Sequence, residues 1–373
     1  MKKMMIICLA AMAALFAPLP GAALAEDLHA GLKAWVWVYQ PPVGPPQTPP
    51  EYQFNSKGAL NRVGRLGVGQ YQVVFPKLAN WGGQAQVSAY GGAHYCNILN
   101  WEPSGEDLIV RVNCYAPTSA LADGSFTAFF YKEQGTSTYN RAFVWADRES
   151  TDSYVPDERY QWNTRGATNS VRRSRTGKYE VFLPAIAISG FRENAGTVQV
   201  SAYGNSPARA QIDYWGRTPN GSYVRVSTYD FKGEPRDSKF TLNFSDDVGY
   251  GIRIPEDRLN MYGAYVLADQ PLAAEYRAFD FYHFNNFTGE SVAESLITRL
   301  GLGSYRVRFD GLKSANKSTA LVSAYGRRGE YCTIGGWNGI GGTNVNVNCF
   351  NAGGEPADSR FILTYLTDET VLW

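Results

Sequence analysis

The pentapeptide Val87-Ser88-Ala89-Tyr90-Gly91 returns unchanged at 200–204 and at 322–326. An identical word at three well-separated places indicates an internal repeat, and a repeat is assigned before any single element. Alignment on this word yields three copies of about 110 to 120 residues each. The copies extend over nearly the whole chain after residue 25 and predict its domain organisation: repeats at 26–135, 136–248 and 249–373.

Further landmarks surround the shared word in the same order in every copy. An aromatic strand motif begins at Ala34, Ala142 and Ala264, and a Tyr-x-aromatic-Asn motif ends at Asn55, Asn163 and Asn285. The alanine and the asparagine are 21 residues apart each time (34 to 55, 142 to 163, 264 to 285). An Arg-x-x-x-Gly-x-Tyr-x-Val motif begins at Arg65, Arg173 and Arg299, and an Asp-x-x-Phe motif at Asp123, Asp237 and Asp358. A tryptophan lies between the shared word and this last motif.

The hydrophobic pattern in these stretches has a period of two. Tyr71, Val73 and Phe75 alternate with Gln70 and Val74, for example, which is typical of a half-buried strand. Short strand-like runs separated by Gly, Pro, Asn and Asp occur about seven times per copy. The sequence therefore predicts an all-β fold of three tandem antiparallel β-sandwich-like repeats. Only about ten residues separate the end of the first copy from the first strand of the second, which is short enough for a hairpin, so we expect neighbouring copies to share sheets.

The four cysteines after residue 25 are distributed as pairs. Cys96 and Cys114 lie in the first copy, and Cys332 and Cys349 lie at similar places in the third. The second copy has Ala210 and Thr228 at these positions, so both members of the pair are absent together. Joint loss is expected for bonded partners and not for independent thiols. We predict the disulfides Cys96–Cys114 and Cys332–Cys349, which form in an oxidising compartment.

The N-terminal segment 1–25 has the pattern of a signal peptide. Lys2 and Lys3 precede an apolar run, and Ala23-Leu24-Ala25 is a small-x-small cleavage motif. We expect a secreted or periplasmic protein with no membrane span after removal of this segment. The formal net charge of +1 disfavours nucleic acid as a partner, because phosphate binding needs a basic surface.

Polar residues shared by all copies have two interpretations. The asparagines, arginines and aspartates named above can fix turns and pair with one another, or they can form three equivalent binding sites that act by avidity. We favour the structural interpretation, because every copy needs these residues in order to fold.

Catalytic signatures are weak. His29, His94 and His283 do not recur between copies, and no nucleophile elbow, metal-protease motif or phosphate loop is present. We therefore predict no catalytic residue, metal or cofactor and lean away from an enzyme. Paired carboxylates for hydrolysis stay open, with candidates in the junction between the second and third copies at Asp246, Asp247, Glu256 and Asp257.

Residues outside the shared pattern are better candidates for a specific function. The chain has 9 Trp, 24 Tyr and 19 Phe, more rings than its cores obviously need. Exposed rings stack on sugars, and the candidates are Trp81, Tyr154, Tyr250 and Tyr262. The second copy is also rich in arginine, at Arg165, Arg172, Arg173 and Arg175, which could hold an anion but more often forms a solvated loop.

The repeat resembles tandem β-rich segments of secreted bacterial proteins of unassigned function. The third copy carries the resemblance best, in Gly303-Ser-Tyr305-Arg-Val307, Cys332, Trp337, Cys349 and Asp358-Ser359-Arg-Phe361. The resemblance implies export and a β fold, and it brings no activity. We expect a non-catalytic secreted or envelope binding protein for polysaccharide or another cell-surface component. A secreted polymer hydrolase and a structural or assembly component are the alternatives.

Overall fold

The computed structural model describes residues 31–39, 44, 46–49, 51–133, 140–187, 195–245, 261–279, 282–285, 295–312, 317–339 and 342–368. Within these ranges the regular structure is strand, apart from one 3-10 turn at Glu158–Tyr160, so the all-β prediction is confirmed. No helix in the described part of the chain is long and apolar enough to cross a membrane.

The described strands number eight, nine and nine in successive copies. The first copy has β1 Leu32–Val38, β2 Gln53–Asn55, β3 Arg62–Gly67, β4 Gln70–Phe75, β5 Gln84–Tyr90, β6 Tyr95–Ser104, β7 Asp107–Tyr115 and β8 Ser125–Lys132. The second has β9 Arg141–Ala146, β10 Ser153–Tyr154, β11 Gln161–Asn163, β12 Ser170–Arg175, β13 Lys178–Pro184, β14 Thr197–Tyr203, β15 Arg209–Thr218, β16 Gly221–Tyr229 and β17 Lys239–Ser245. The third has β18 Met261–Ala268, β19 Glu275–Arg277, β20 His283–Asn285, β21 Leu296–Gly301, β22 Ser304–Phe309, β23 Ser318–Tyr325, β24 Tyr331–Gly339, β25 Thr343–Phe350 and β26 Arg360–Asp368. The count exceeds seven because edge strands such as β2 and β10, of three and two residues, are too short to show alternation.

Each copy is a sandwich of two half-sheets around its own core. In the first copy the half-sheets have strand orders β2-β1-β8-β5 and β3-β4-β7-β6. The alternating residues Tyr71, Val73 and Phe75 are almost fully buried between them, whereas Gln70 and Gln72 are half-buried. This inward and outward alternation is what produced the period of two in the sequence.

Half-sheets from different copies join into three continuous sheets. The first sheet has the order β19-β21-β22-β25-β24-β5-β8-β1-β2 and combines the third and first copies. The second, β11-β9-β17-β14-β6-β7-β4-β3, combines the second and first copies. The third, β10-β12-β13-β16-β15-β23-β26-β18-β20, combines the second and third copies. Each copy thus contributes to two sheets, and the three sandwiches close into a ring with pseudo-threefold symmetry.

The three junctions of the ring are parallel strand pairs at equivalent places. β5 pairs with β24, β14 with β6 and β23 with β15. The glycine of the shared pentapeptide donates its N–H across each junction: Gly91 to the Ile334 carbonyl at 2.7 Å, Gly204 to Ile98 at 2.8 Å and Gly326 to Ile212 at 2.9 Å. The shared word therefore holds the copies together, and this explains why it is identical in all three.

The remaining residues of the pentapeptide reinforce the same junctions. Each shared serine accepts a hydrogen bond from a valine N–H of another copy: Ser201 from Val87, Ser323 from Val200 and Ser88 from Val322, at 2.9 to 3.0 Å. Each shared tyrosine packs its ring against the shared tryptophan of its neighbour: Tyr90 on Trp337, Tyr203 on Trp101 and Tyr325 on Trp215.

Sheet sharing is confirmed, but its route differs from the expectation. A hairpin across the short connection between the first two copies would pair β8 with β9, yet these strands lie in different sheets. β8 pairs with β1 and β5, and β9 pairs with β11 and β17. The copies share sheets through parallel pairs between residues far apart in sequence, which need no short connection.

Both predicted disulfides are present. Cys96 and Cys114 face each other on β6 and β7, and Cys332 and Cys349 face each other on β24 and β25, with Cα–Cα distances of 4.0 Å. Their counterparts Ala210 and Thr228 occupy the same register on β15 and β16.

Candidate functional site

The shared arginine and aspartate form an ion pair in every copy. Arg299 donates two hydrogen bonds to the Asp358 carboxylate, at 2.9 and 2.8 Å, and Oδ1 of Asp358 also accepts the Gly303 N–H and the Tyr305 hydroxyl. The equivalent pairs are Arg65–Asp123 and Arg173–Asp237. These carboxylates are therefore occupied in holding a glycine turn, in agreement with the structural interpretation.

The shared asparagines are also used within the fold. Asn55 and Asn163 donate their amide N–H groups to Asn61 and Asn169, at 3.1 and 3.0 Å. Asn285 donates to the carbonyl of Asp310 at 2.8 Å. All three side chains are buried, so they do not face a ligand.

The four aromatic candidates are not brought together. Trp81 is exposed, Tyr262 is half-buried against the third core, and Tyr250 lies outside the described residues. Tyr154 is only 7% exposed, and its hydroxyl accepts the Arg148 N–H, so its ring offers no face to a sugar. The strand-like stretch around Tyr154 packs it inward, which composition could not reveal.

The described residues give little support to a hydrolase or a metal site. The junction carboxylates Asp246, Asp247, Glu256 and Asp257 lie outside them. His94 is half-buried with Nε2 2.8 Å from the Ser125 carbonyl oxygen, and burial lowers its pKa. Within the described ranges no group of three or more His, Cys, Asp or Glu side chains could hold a metal ion.

A concave surface lies where the second copy meets the third. Two adjoining cavities, of about 710 and 410 Å³, share Asp213 and Arg327 and form one groove across β12, β13, β15, β16 and the end of β23. The loop at 270–273 forms its wall on the side of the third copy, with Leu272 strongly exposed. We call this surface the basic groove.

The basic groove is named for the charges that line it. Its cations are Arg172, Arg175, Lys178, Arg225, Arg327, Arg328 and Arg360, and its carboxylates are Glu180, Asp213, Glu330 and Asp358. All six arginines are exposed. Glu180 is shared between Arg172 and Arg225, at 3.3 and 3.1 Å, and Asp358 is already paired with Arg299 outside the groove. Positive charge is therefore in excess at this surface.

Asp213 is positioned at the bottom of the groove by a β-bulge. The register of β15 against β16 shifts between Ile212 and Tyr214, which re-aims the intervening side chain. Its carboxylate accepts a hydrogen bond from the Ser227 hydroxyl and lies 3.6 Å from Lys178 and 3.8 Å from Arg327. Burial raises the pKa of Asp213, while these neighbours oppose that shift.

Lys178 completes this cluster from β13. Its ammonium donates to the Ser227 hydroxyl at 2.5 Å and to the Tyr229 hydroxyl at 2.9 Å, and it lies 4.8 Å from the centre of the Tyr229 ring. Asp213 thus orients Lys178 from the second copy and Arg327 from the third towards one place. The site is assembled from two copies.

Tyr214 lines the groove, and Tyr223 packs beside it. The rings of Tyr214 on β15 and Tyr223 on β16 have centroids 6.0 Å apart, and the Arg225 guanidinium lies 5.1 Å from the centre of Tyr223. Both tyrosines are half-buried. This places partly exposed ring surface beside exposed cations, an arrangement that the scattered sequence candidates did not offer.

Several charged positions of the groove are specific to the second copy. At the position of Arg172 the other copies have Gly64 and Thr298, at Arg175 they have Gly67 and Gly301, and at Lys178 they have Gln70 and Ser304. The bulge residue Asp213 corresponds to Leu99 and Gly335. The fold therefore repeats three times, but the groove chemistry does not.

Sequence reasoning found part of this surface. Arg172 and Arg175 belong to the predicted arginine cluster and line the groove, whereas Arg173 pairs with Asp237 and Arg165 bonds to the Asn140 side chain. Lys178, Asp213, Arg225 and Arg327 were missed. One signal was available: the residue two places before the shared tryptophan is leucine, aspartate and glycine in the three copies.

No protein-family model, curated protein or solved structure matches this chain.

Proposed function

We propose that the protein is a non-catalytic extracellular or envelope binding protein that holds an anionic polysaccharide in the basic groove. The observation that carries the proposal is the excess of exposed arginine in one groove of the ring. Guanidinium groups bind carboxylate, sulfate and phosphate through paired N–H donors, and six arginines converge there.

The shape of the groove favours a polymer over a small molecule. Its two cavities are open and adjoin end to end across two copies, which suits several successive units of a chain. Tyr214 and Tyr223 add ring surface beside the cations. An acidic sugar offers both an anionic group for arginine and apolar C–H edges for a ring.

The disulfides support an oxidising location for such a protein. A secreted or periplasmic protein meets acidic polysaccharides at cell surfaces. The sequence resemblance to exported repeats agrees with this proposal.

A second function, hydrolysis of the bound polymer, is favoured by Asp213. Burial raises its pKa, as a proton donor requires. Against this, its side chain is 8% exposed and already bonded to Ser227, so access to a glycosidic oxygen is poor. An assembly role is disfavoured because most described sheet edges are strands of two or three residues, a common device against edge pairing.

Replacement of groove arginines by neutral glutamine tests the binding proposal. The triple variant R172Q/R175Q/R327Q removes three exposed groove cations, and we expect affinity for immobilised acidic polysaccharides such as alginate, polygalacturonate and heparin to fall at least about tenfold. Wild-type binding should weaken as salt is raised from about 0.05 to 0.2 M, because exposed charges are screened. Neutral dextran serves as the ligand control.

The matched protein control is R217Q/R306Q/R308Q, which removes three exposed arginines that do not line the groove. It should bind like the wild type. Equal loss in both triples, or equal binding of dextran, contradicts the proposal. Measuring polymer length after incubation separates hydrolysis from binding: shortening that is abolished in D213N would establish the second function instead.

A further inference from the structure

A small cavity lies on the pseudo-threefold axis, away from the basic groove. It has a volume of about 50 Å³ and is lined by the Val-Ser-Ala segments of all three copies. One residue at the start of β6, β15 and β24 also reaches it from each copy: Tyr95, Arg209 and Tyr331. The symmetry of the ring is therefore broken here by a single cation.

Arg209 is buried between the two tyrosines. It is 4% exposed, and its guanidinium carbon lies 5.1 Å from the centre of the Tyr95 ring and 4.7 Å from that of Tyr331. Nη2 donates to the carbonyl oxygens of Asp230 and Ala352, at 3.0 and 3.1 Å. Among the residues that the structure describes, none accepts a hydrogen bond from Nε or Nη1.

The charge of Arg209 lacks a carboxylate partner among the described residues. The side chain of Asp230, in the adjacent turn, accepts the N–H groups of Lys232 and Glu234 at 2.8 and 2.9 Å. No Asp or Glu is present among the described residues that line the cavity. Burial lowers the pKa of Arg209, yet a guanidinium stays charged in proteins. A buried cation with unsatisfied N–H donors is costly unless a counter-charge is present.

The second copy also provides the space. Ala210, next to Arg209, lines the cavity where the other copies have Cys96 and Cys332. The buried arginine therefore lies directly before the position where the second copy lacks a bridge cysteine. The Ala210 side chain is smaller than the equivalent cysteines, which leaves room beside the guanidinium.

We propose that Arg209 and the axial cavity bind a small inorganic anion of the size of chloride. The volume restricts the ligand to this class, because organic ligands occupy pockets of about 300 Å³ or more, whereas a single water takes about 30 Å³. The unpaired N–H groups supply the hydrogen bonds, and the Tyr95 and Tyr331 rings bury the guanidinium that carries them. The anion neutralises the axis where the three copies meet. This inference is independent of the polysaccharide proposal.

Bromide provides a direct test on the intact wild-type chain. Crystals grown or soaked in bromide should show an anomalous peak on the axis within about 3.5 Å of the Arg209 guanidinium nitrogens. A structure with ordered bromide elsewhere and only water beside Arg209 overturns the proposal.

Thermal unfolding provides the second test. At constant ionic strength, replacing gluconate by chloride should raise the melting temperature of the wild type, because a ligand that binds only the folded state stabilises it. The variant R209Y, which makes the three axial positions alike, should lose this chloride dependence, whereas the exposed control R217Q should keep it.

The two tests are independent of each other. If R209Y does not fold, the bromide position in the wild type still decides the question. A wild-type melting temperature that is the same in chloride and gluconate contradicts the proposal, as does an equal chloride response in R209Y.

Discussion

At the scale of single residues, the Arg–Asp pairs show how one carboxylate can serve several groups. Asp123 accepts from the Arg65 guanidinium, the Gly69 N–H and the Tyr71 hydroxyl. The hydrogen bond from Arg65 is the main cause that holds the pKa of Asp123 at about 2. The pKa of Asp358 is lowered in the same way by Arg299. Each copy thus needs an ionised aspartate to close its glycine turn.

These lowered pKa values predict acid sensitivity. An unfolded aspartate titrates near pH 3.9, so below about pH 4 the unfolded chain binds protons that folded Asp123 and Asp358 resist. The stabilisation from the pairs is complete above that pH and is lost as the pH falls towards about 2. Urea unfolding at about pH 5, 4 and 3 measures this loss. D358N should be less stable than the wild type at pH 5 and lose less further stability on acidification.

R299Q is the companion variant for this prediction. It leaves the Asp358 carboxylate without its cation, so the pKa of Asp358 should move towards the ordinary value and the acid loss should again become smaller. Parallel decline of the wild type, D358N and R299Q with pH would contradict the assignment of acid sensitivity to these pairs.

At the scale of elements, the hairpins β6–β7, β15–β16 and β24–β25 have the same backbone frame but carry different side chains. Each carries a β-bulge at the same place before the shared tryptophan, and each joins the next copy through a parallel pair. The first and third hairpins are cross-linked by disulfides, whereas the second holds Arg209 and Asp213. The hairpin without a bridge is therefore the one with specialised polar residues.

Because the frame is the same, a third disulfide should form in A210C/T228C. These residues are directly paired on β15 and β16, as the cysteines are in the other hairpins. Closure of a loop of this length stabilises by up to about 3 kcal/mol before strain. Non-reducing peptide mapping should detect the bridge, and the denaturation midpoint should rise only under oxidising conditions. A210C alone is the control, and a double variant with two free thiols would contradict the prediction.

At the scale of the whole molecule, the ring makes each copy incomplete alone. In the third copy, β23 pairs with β15 of the second copy, and β24 pairs with β5 of the first copy. In isolation it would expose both strand edges together with its axial residues, and exposed edges promote association.

We therefore expect the fragment 249–373 not to persist as a folded monomer. Its two exposed edges are complementary to each other through the same parallel junction, so three fragments can close a ring in the place of three copies. Size-exclusion chromatography with light scattering should show a trimer or a concentration-dependent assembly. The intact chain is the control. A stable, folded monomeric fragment would show that the copies fold independently and would contradict this prediction.

The sequence by itself determined the three copies, their β character, the two disulfides and the arginines Arg172 and Arg175 of the groove. These features are local or periodic: the alternation of apolar residues, the repeated pentapeptide and the joint loss of two cysteines can all be read directly from the sequence. The tertiary structure alone decided the ring and both candidate sites. Val87 meets Ser201, Asp213 meets Arg327, and Arg209 enters between Tyr95 and Tyr331 through contacts between copies more than 100 residues apart. Parallel pairing across such separations leaves no local period, because nothing near a strand in sequence specifies which distant edge completes it.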